Sequence, residues 1–114
     1  AGVTAAFNLN MLERINRDFG ARFDASGFRH RALFVEEPGR IEMHLVATRA
    51  QRVPVPGLDL EIELAAGEWI HTENSYKYSD AEVEALLRGA SLEREAWWTD
   101  PGERFRLVLA RAAT

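Results

Sequence analysis

Cysteine is absent from the chain, which removes disulfides and thiolate metal ligands together. No apolar run approaches the roughly 20 residues that span a bilayer, and no signal-peptide pattern is present. There is no basic stripe and no block of like charge. The 14 Lys and Arg residues are interleaved with 18 Asp and Glu residues for a net charge of −4. That balance argues against nucleic-acid and membrane-surface partners. The eight glycines never fall as Gly-x-Gly, so no nucleotide-binding loop is in the chain. No Gly-x-Ser-x-Gly elbow marks a hydrolase. His30, His44 and His71 show no His-x-x-His spacing, and with no cysteine beside them no metal site is expected. Internal repeats and low-complexity segments are missing too. What remains reads as a cytoplasmic, metal-free protein of about one domain, with 46% hydrophobic and 28% charged residues. The opening AGVTAAFN, without Met, reads as a start in mid-protein, and RLVLARAAT reads as a finished C-terminus.

The pattern along the chain predicts an α+β fold. Phe7, Met11, Ile15 and Phe19 recur every four residues, with Leu9 and Leu12 widening the stripe, which predicts a helix from Thr4 to Phe19. Thr4 suits its cap and Gly20 its stop. Strands are expected at Phe28 to Val35 and Ile41 to Thr48, joined by a Pro-Gly turn. In the second strand Ile41, Met43, Leu45 and Ala47 share the inward face, leaving Glu42 and His44 to a solvated one. VPVPG reads as an edge or linker. Leu58 to Leu64 alternates with its leucines and Ile62 inward, and Glu68 to Tyr76 reads as a further strand. Ser79-Asp-Ala-Glu82 is a capping box for a helix from Asp80 to Arg88, ended by Gly89. Strands at Leu92 to Thr99 and Phe105 to Arg111 flank an Asp-Pro-Gly turn, and Trp97 or Trp98 must face inward.

One stretch, IHTENSYKYSDAE, concentrates hydrogen-bonding side chains. If Trp69 to Tyr76 is an unbroken strand, Trp69, His71, Glu73 and Ser75 lie on one face and Thr72, Asn74 and Tyr76 on the other. Glu73 then offers a carboxylate beside the Ser75 hydroxyl, a pair suited to a small ring with one donor and one acceptor, such as neutral imidazole. Spacing alone favours a polar outer face of an edge strand, the usual fate of such positions.

The order GVTAAFNLNMLERIN, FRHRALF, RIEMHLVATRAQRV, IHTENSYKYS and WWTDPGERFRLVLAR resembles the C-terminal third of the histidine-specific methyltransferase family, over nearly the whole chain. That family forms Nα-trimethylhistidine on the ergothioneine pathway, and some relatives have less certain substrates. The resemblance implies a mostly antiparallel sheet with a helix on each side, followed by the C-terminal helix and β-hairpin of a class I methyltransferase sheet. It implies a substrate-binding subdomain over residues 1–78 and the methyltransferase segment over residues 79–114. S-adenosylmethionine would be the cofactor of the full-length protein, and none of its binding residues would lie in this chain. The family's Thr-Glu-x-Ser motif falls on Glu73 and Ser75, which would hold the imidazole ring. Met43, from the Ile-Glu-Met motif, and Phe7 would lie beside the ring, and Thr4 near the same pocket. Tyr76 stands where some members have Cys, so the pocket edge differs there.

The implied partner is a histidine-like small molecule, with no catalytic residue in this chain and Glu73 acting in recognition far from the transferred methyl. The chain alone would be inactive, and apolar faces such as that of Leu107 and Leu109 would favour a homodimer or strand exchange. Two other readings stay open: a non-catalytic small-ligand-binding or interaction domain, and a relative that methylates a different amine.

Overall fold

Val3–Phe19 forms the first helix, α1, in a computed structural model that describes residues 2–114. The helix starts from Gly2 without a side-chain cap, so Thr4 lies inside the first turn and does not cap it. It stops as expected at Gly20, whose φ of 67° is left-handed. The expected stripe is rotated. Phe7, Met11 and Phe19 are exposed, while Asn8 and Leu12 are buried and Leu9 and Ile15 pack partly against the core. Tertiary packing selects the Asn8–Leu12 ridge over the more apolar one beside it. After α1 the Asn16 amide exchanges two hydrogen bonds of 2.8 Å with the Phe23 backbone, fixing the chain's return. Gly57 is required where it is, because a Cβ there would sit 2.6 Å from the Phe19 carbonyl oxygen.

Strands β1 (Phe28–Val35), β2 (Arg40–Ala47) and β5 (Trp69–Tyr76) form an antiparallel sheet in the order β1-β2-β5. β3 (Gln51–Val55) and β4 (Leu60–Leu64) make a separate two-stranded sheet. The VPVPG stretch therefore contributes a strand, with Val53 and Val55 buried and Pro54 tolerated in a sheet that is all edge. Pro56–Leu58 is a 3₁₀ turn, so Leu58 and Leu60 are exposed and only Leu64 of the expected inward set is buried. The core gathers Leu12, Ala21, Phe23, Phe28, Leu45, Ala47, Val53, Val55 and Leu64. Truncating a fully buried member such as Leu45 to Ala should cost roughly 2–5 kcal/mol. β2 is buried on both faces from Glu42 to Ala47, which overturns the solvated face expected for Glu42 and His44.

The chain divides into two compact units, one ending at Tyr76 and the other spanning Lys77–Thr114. In the second, α2 (Asp80–Gly89) opens with the expected capping box: Ser79 accepts from the Glu82 amide, and Glu82 accepts from the Ser79 amide. Gly89 is the last helical residue and Ala90 the cap, one residue later than expected. β6 (Leu92–Thr99) and β7 (Arg106–Ala112) form a hairpin whose turn is held by Asp100, which accepts from the amides of Arg104 and Phe105. Those amides, Phe105 first, hold the Asp100 carboxyl below its ordinary range. Trp97 lies between the Arg94 and Arg106 guanidiniums, 3.8 and 4.2 Å from its ring centroid. Those arginines pair with Glu84 and Asp80 and so lace α2 to the hairpin. No residue of this unit is fully buried, and Trp98, Phe105, Leu107 and Leu109 are exposed.

Candidate functional site

The β2–β5 ladder breaks register once. Leu45 pairs with Ile70 and His44 with His71, but Met43 pairs with Glu73, so Thr72 is an extra residue in β5. A one-residue bulge exchanges the faces of everything beyond it. Trp69 and His71 therefore share a face with Asn74 and Tyr76, while Glu73 and Ser75 share the opposite face with Ile70. The expectation that Trp69, His71, Glu73 and Ser75 lie together fails at Thr72, because alternation presumes an unbroken ladder.

Glu73 and Ser75 stand opposite Met43 and Ile41. They remain on one face as a pair, about 6–7 Å apart along the strand. Met43 is buried, Glu73 exposed and Ser75 half-buried. This is the face that α1 covers, as Leu45, Ala47 and Ile70 pack with Leu12 there. α1 is tied to it by Asn8, which is 1% exposed. The Asn8 amide nitrogen donates to the His44 carbonyl at 3.1 Å and to His30 Nδ1 at 2.9 Å. The Thr72 hydroxyl lies 2.7 Å from Asn8 Oδ1 and 3.0 Å from the Met43 carbonyl, two acceptors for its one proton. Phe7 precedes Asn8 on the helix and Thr4 lies one turn earlier; both are exposed. Five candidate residues thus converge on two short segments: the first turns of α1, and β2–β5 at the bulge.

The opposite face carries a network that the sequence did not announce. Arg40 donates twice to Glu42 Oε2, at 2.9 and 2.7 Å, and once to the Tyr76 hydroxyl. Glu42 Oε1 lies 2.9 Å from His44 Nε2. Arg31 on β1 donates to His44 Nδ1 through Nε and Nη2. Trp69 stacks on the His44 ring with centroids 4.0 Å apart, and the Arg31 guanidinium sits 5.3 Å from the Trp69 centroid. Hydrogen bonds from Arg40 and then His44 hold the Glu42 carboxyl below its ordinary range.

Glu42, His44 and His71 bring three ligand-type atoms within 4.8 Å of one another. The donor chemistry argues against a metal there. Arginine can only donate, so His44 Nδ1 must hold its lone pair and Nε2 must carry the proton that faces Glu42. His71 Nε2 lies 2.6 Å from Asn74 Oδ1, an acceptor, so it too carries its proton. A metal-binding imidazole needs the opposite arrangement, a bare ligand nitrogen and a second nitrogen that donates outward.

A family model for histidine-specific, SAM-dependent methyltransferases matches residues 1–112. The chain belongs to that family. It is 49% identical over 110 residues to histidine N-alpha-methyltransferase of Mycolicibacterium smegmatis. It is 47% identical over 109 residues to the protein of the same name from Mycobacterium tuberculosis. Each match covers 96% of this chain but 34% of the relative, so the chain spans about a third of the length of the curated relatives it matches.

The sequence singled out the pair Glu73 and Ser75, which the structure keeps on one face, but not the hydrogen bonds that join Asn8 to His30 and Thr72. A signal for Asn8 was present: a polar residue four positions before Leu12, inside an otherwise apolar helix face. Thr72 opens the Thr-Glu-x-Ser motif, but nothing in the sequence marks it as the extra residue of a bulge, because a bulge is a property of the paired strands. Among the described residues no helix is long and apolar enough to cross a membrane.

Proposed function

We propose that this chain supplies the imidazole-binding side of the substrate site in a SAM-dependent methyltransferase acting on the α-amine of histidine. The observation that carries the reading is the register of β5, which aligns Glu73 and Ser75 on the face of Met43 and beside the α1 turn that bears Phe7. Glu73 accepts the ring N–H, Ser75 meets the second ring nitrogen, and Met43, Phe7 and Thr4 bound the ring. The methyl donor would supply an electrophilic sulfonium methyl to the neutral α-amine, its S–CH3 bond breaking to leave S-adenosylhomocysteine, and the nitrogen would give up a proton to solvent after each of the first two transfers, so that three rounds give hercynine. No residue of this chain takes part in that transfer or holds the donor; its contribution is to orient the amino acid from the far end.

Segment 79–114 is the C-terminal helix and hairpin of the methyltransferase sheet in this reading, and residues 1–78 belong to the substrate subdomain. Trp98, Phe105, Leu107 and Leu109 give the hairpin an apolar surface that, in the isolated chain, drives homodimerisation or strand exchange. A monomeric mass by light scattering at high concentration would refute that association.

Calorimetry tests the substrate reading. The full reading frame containing this chain should bind histidine, and S-adenosylhomocysteine independently. Glu73→Ala should weaken histidine binding by about 1–3 kcal/mol, the cost of an unmet ring N–H, and leave S-adenosylhomocysteine unaffected. Equal histidine affinity in mutant and wild type would sink the assignment. Binding of a different amine in preference to histidine would favour a relative with another substrate.

A further inference from the structure

The pairing of β2 with β5 shows what the strand would do without its extra residue. If the ladder ran unbroken from Leu45–Ile70 and His44–His71, Met43 would face Thr72 and Glu42 would face Glu73. Two carboxylates would then oppose each other directly, and Glu73 would join the closed network of Arg31, Arg40 and His44. The bulge prevents this. It moves Glu73 opposite Met43 and turns Ser75 onto the same face. Two contacts fix it, both through the Thr72 hydroxyl: one to the Met43 carbonyl across the ladder, and one to Asn8 on α1. Asn8 is committed in turn, since its amide nitrogen serves His30 and the His44 carbonyl and leaves its oxygen to Thr72.

We propose that Thr72 and Asn8 are positioning residues that set histidine specificity, acting through the bulge that presents Glu73 and Ser75 to the ring. This rests on the substrate reading above and adds residues to it that touch no ligand. The same clamp couples the two walls of the site. Asn8 adjoins Phe7 and Thr72 adjoins Glu73, so a shift of α1 is passed to the carboxylate through a single hydrogen bond. Loss of that bond should loosen ring recognition without affecting how the pocket holds a ring that offers no polar atoms.

The test uses the full reading frame and two ligands, histidine and thienylalanine, whose five-membered ring has neither an N–H nor a nitrogen acceptor. Thr72→Val keeps the branched shape and removes the hydroxyl; Thr72→Ser restores it. Thr72→Val should weaken histidine binding roughly 10–100-fold with thienylalanine and S-adenosylhomocysteine affinities unchanged, and Thr72→Ser should return histidine binding to near the wild-type value. Should Thr72→Val fail to fold, Thr72→Ala is read in the same way. Equal loss for both amino acids, or no loss for histidine, would overturn the proposal. Glu73→Ala in the same series separates the two claims. If it leaves histidine affinity intact, the substrate reading fails. If it weakens histidine and the Thr72 variants do not, only the positioning role fails.

Discussion

Across the β1–β2–β5 sheet, one face is closed on itself and the other is tied to α1 and open at its end. On the closed face every polar group of the central strand has a partner from its neighbours: Arg40 and His44 for Glu42, Arg31 for His44, Trp69 as a lid. On the other face Met43 is covered while Glu73 and Phe7 are exposed. Both faces hold carboxylates, hydroxyls or imidazoles, so residue type alone does not separate them. What separates them is closure: the polar groups of one face are turned to one another, while the other leaves Glu73 at an exposed rim. A network whose donors and acceptors match one another has nothing left for a ligand, and its members serve stability. Glu73 stands at the exposed rim of the other face, where the proposed reading puts the incoming ring.

The strongest way to break that comparison is to remove the centre of the closed network. His44→Ala strands the Arg31 donors and the Glu42 acceptor and loses the Trp69 stack, at a cost of about 2–4 kcal/mol in chemical denaturation. A loss under about 1 kcal/mol would show the network to be dispensable. Zinc in molar excess should leave the wild-type melting temperature unchanged, because both imidazoles present protons to the shared space. Stabilisation by zinc would mean that the tautomers are wrong and that the closed face is a metal site.

Much of the fold was legible in the sequence, and its failures share one cause. The α1 stop at Gly20, the Ser79 capping box, β1 and both hairpin turns follow from local chemistry, and local chemistry is what a sequence displays. The Glu73–Ser75 pair was legible too, since residues two apart share a face wherever the strand runs true. The errors lie where pairing or packing decides. Burial of His44 needs the Trp69 ring of β5 against it, burial of Glu42 goes with Arg40, His44 and His71 around it, and the reversal of Trp69 and His71 needs a bulge set by β2 and α1. The buried ridge of α1 is likewise chosen by what lies beneath it, and Asn8 wins its place by bonds to strands 22 and more residues away.

A smaller effect sharpens the contrast through pH. Glu42 is held as carboxylate by Arg40 and His44, so its folded value lies below its unfolded value of about 4.5. The sign follows: the stabilisation is fully present above that pH and is lost as pH falls through the lower folded value. Glu42→Gln should therefore flatten the acid limb of a stability-versus-pH curve measured by denaturation. Asp24, lowered by its bonds to Ser26, and Asp100, lowered by the turn amides, remain in both proteins, so the difference curve isolates Glu42. Superimposable acid limbs would remove Glu42 from the stability of the closed face.

The smallest expected effect on stability falls on the open face, and there the comparison is most exposed to failure. Phe7 is 66% exposed on α1, one residue from a side chain that is 1% exposed. Phe7 contributes little to the fold of this chain, and the proposed reading makes it an apolar wall of the ring site. Phe7→Ala should change unfolding stability by no more than about 0.5 kcal/mol, as for surface positions in general. In the full reading frame it should still weaken histidine binding measurably by calorimetry, because the ring loses an apolar wall. His44→Ala and Phe7→Ala then form a crossed pair, one costing stability and the other affinity. If Phe7→Ala instead destabilised the chain as much as His44→Ala does, the open face would be structural as well, and the division of labour between the two sides of the sheet would be gone.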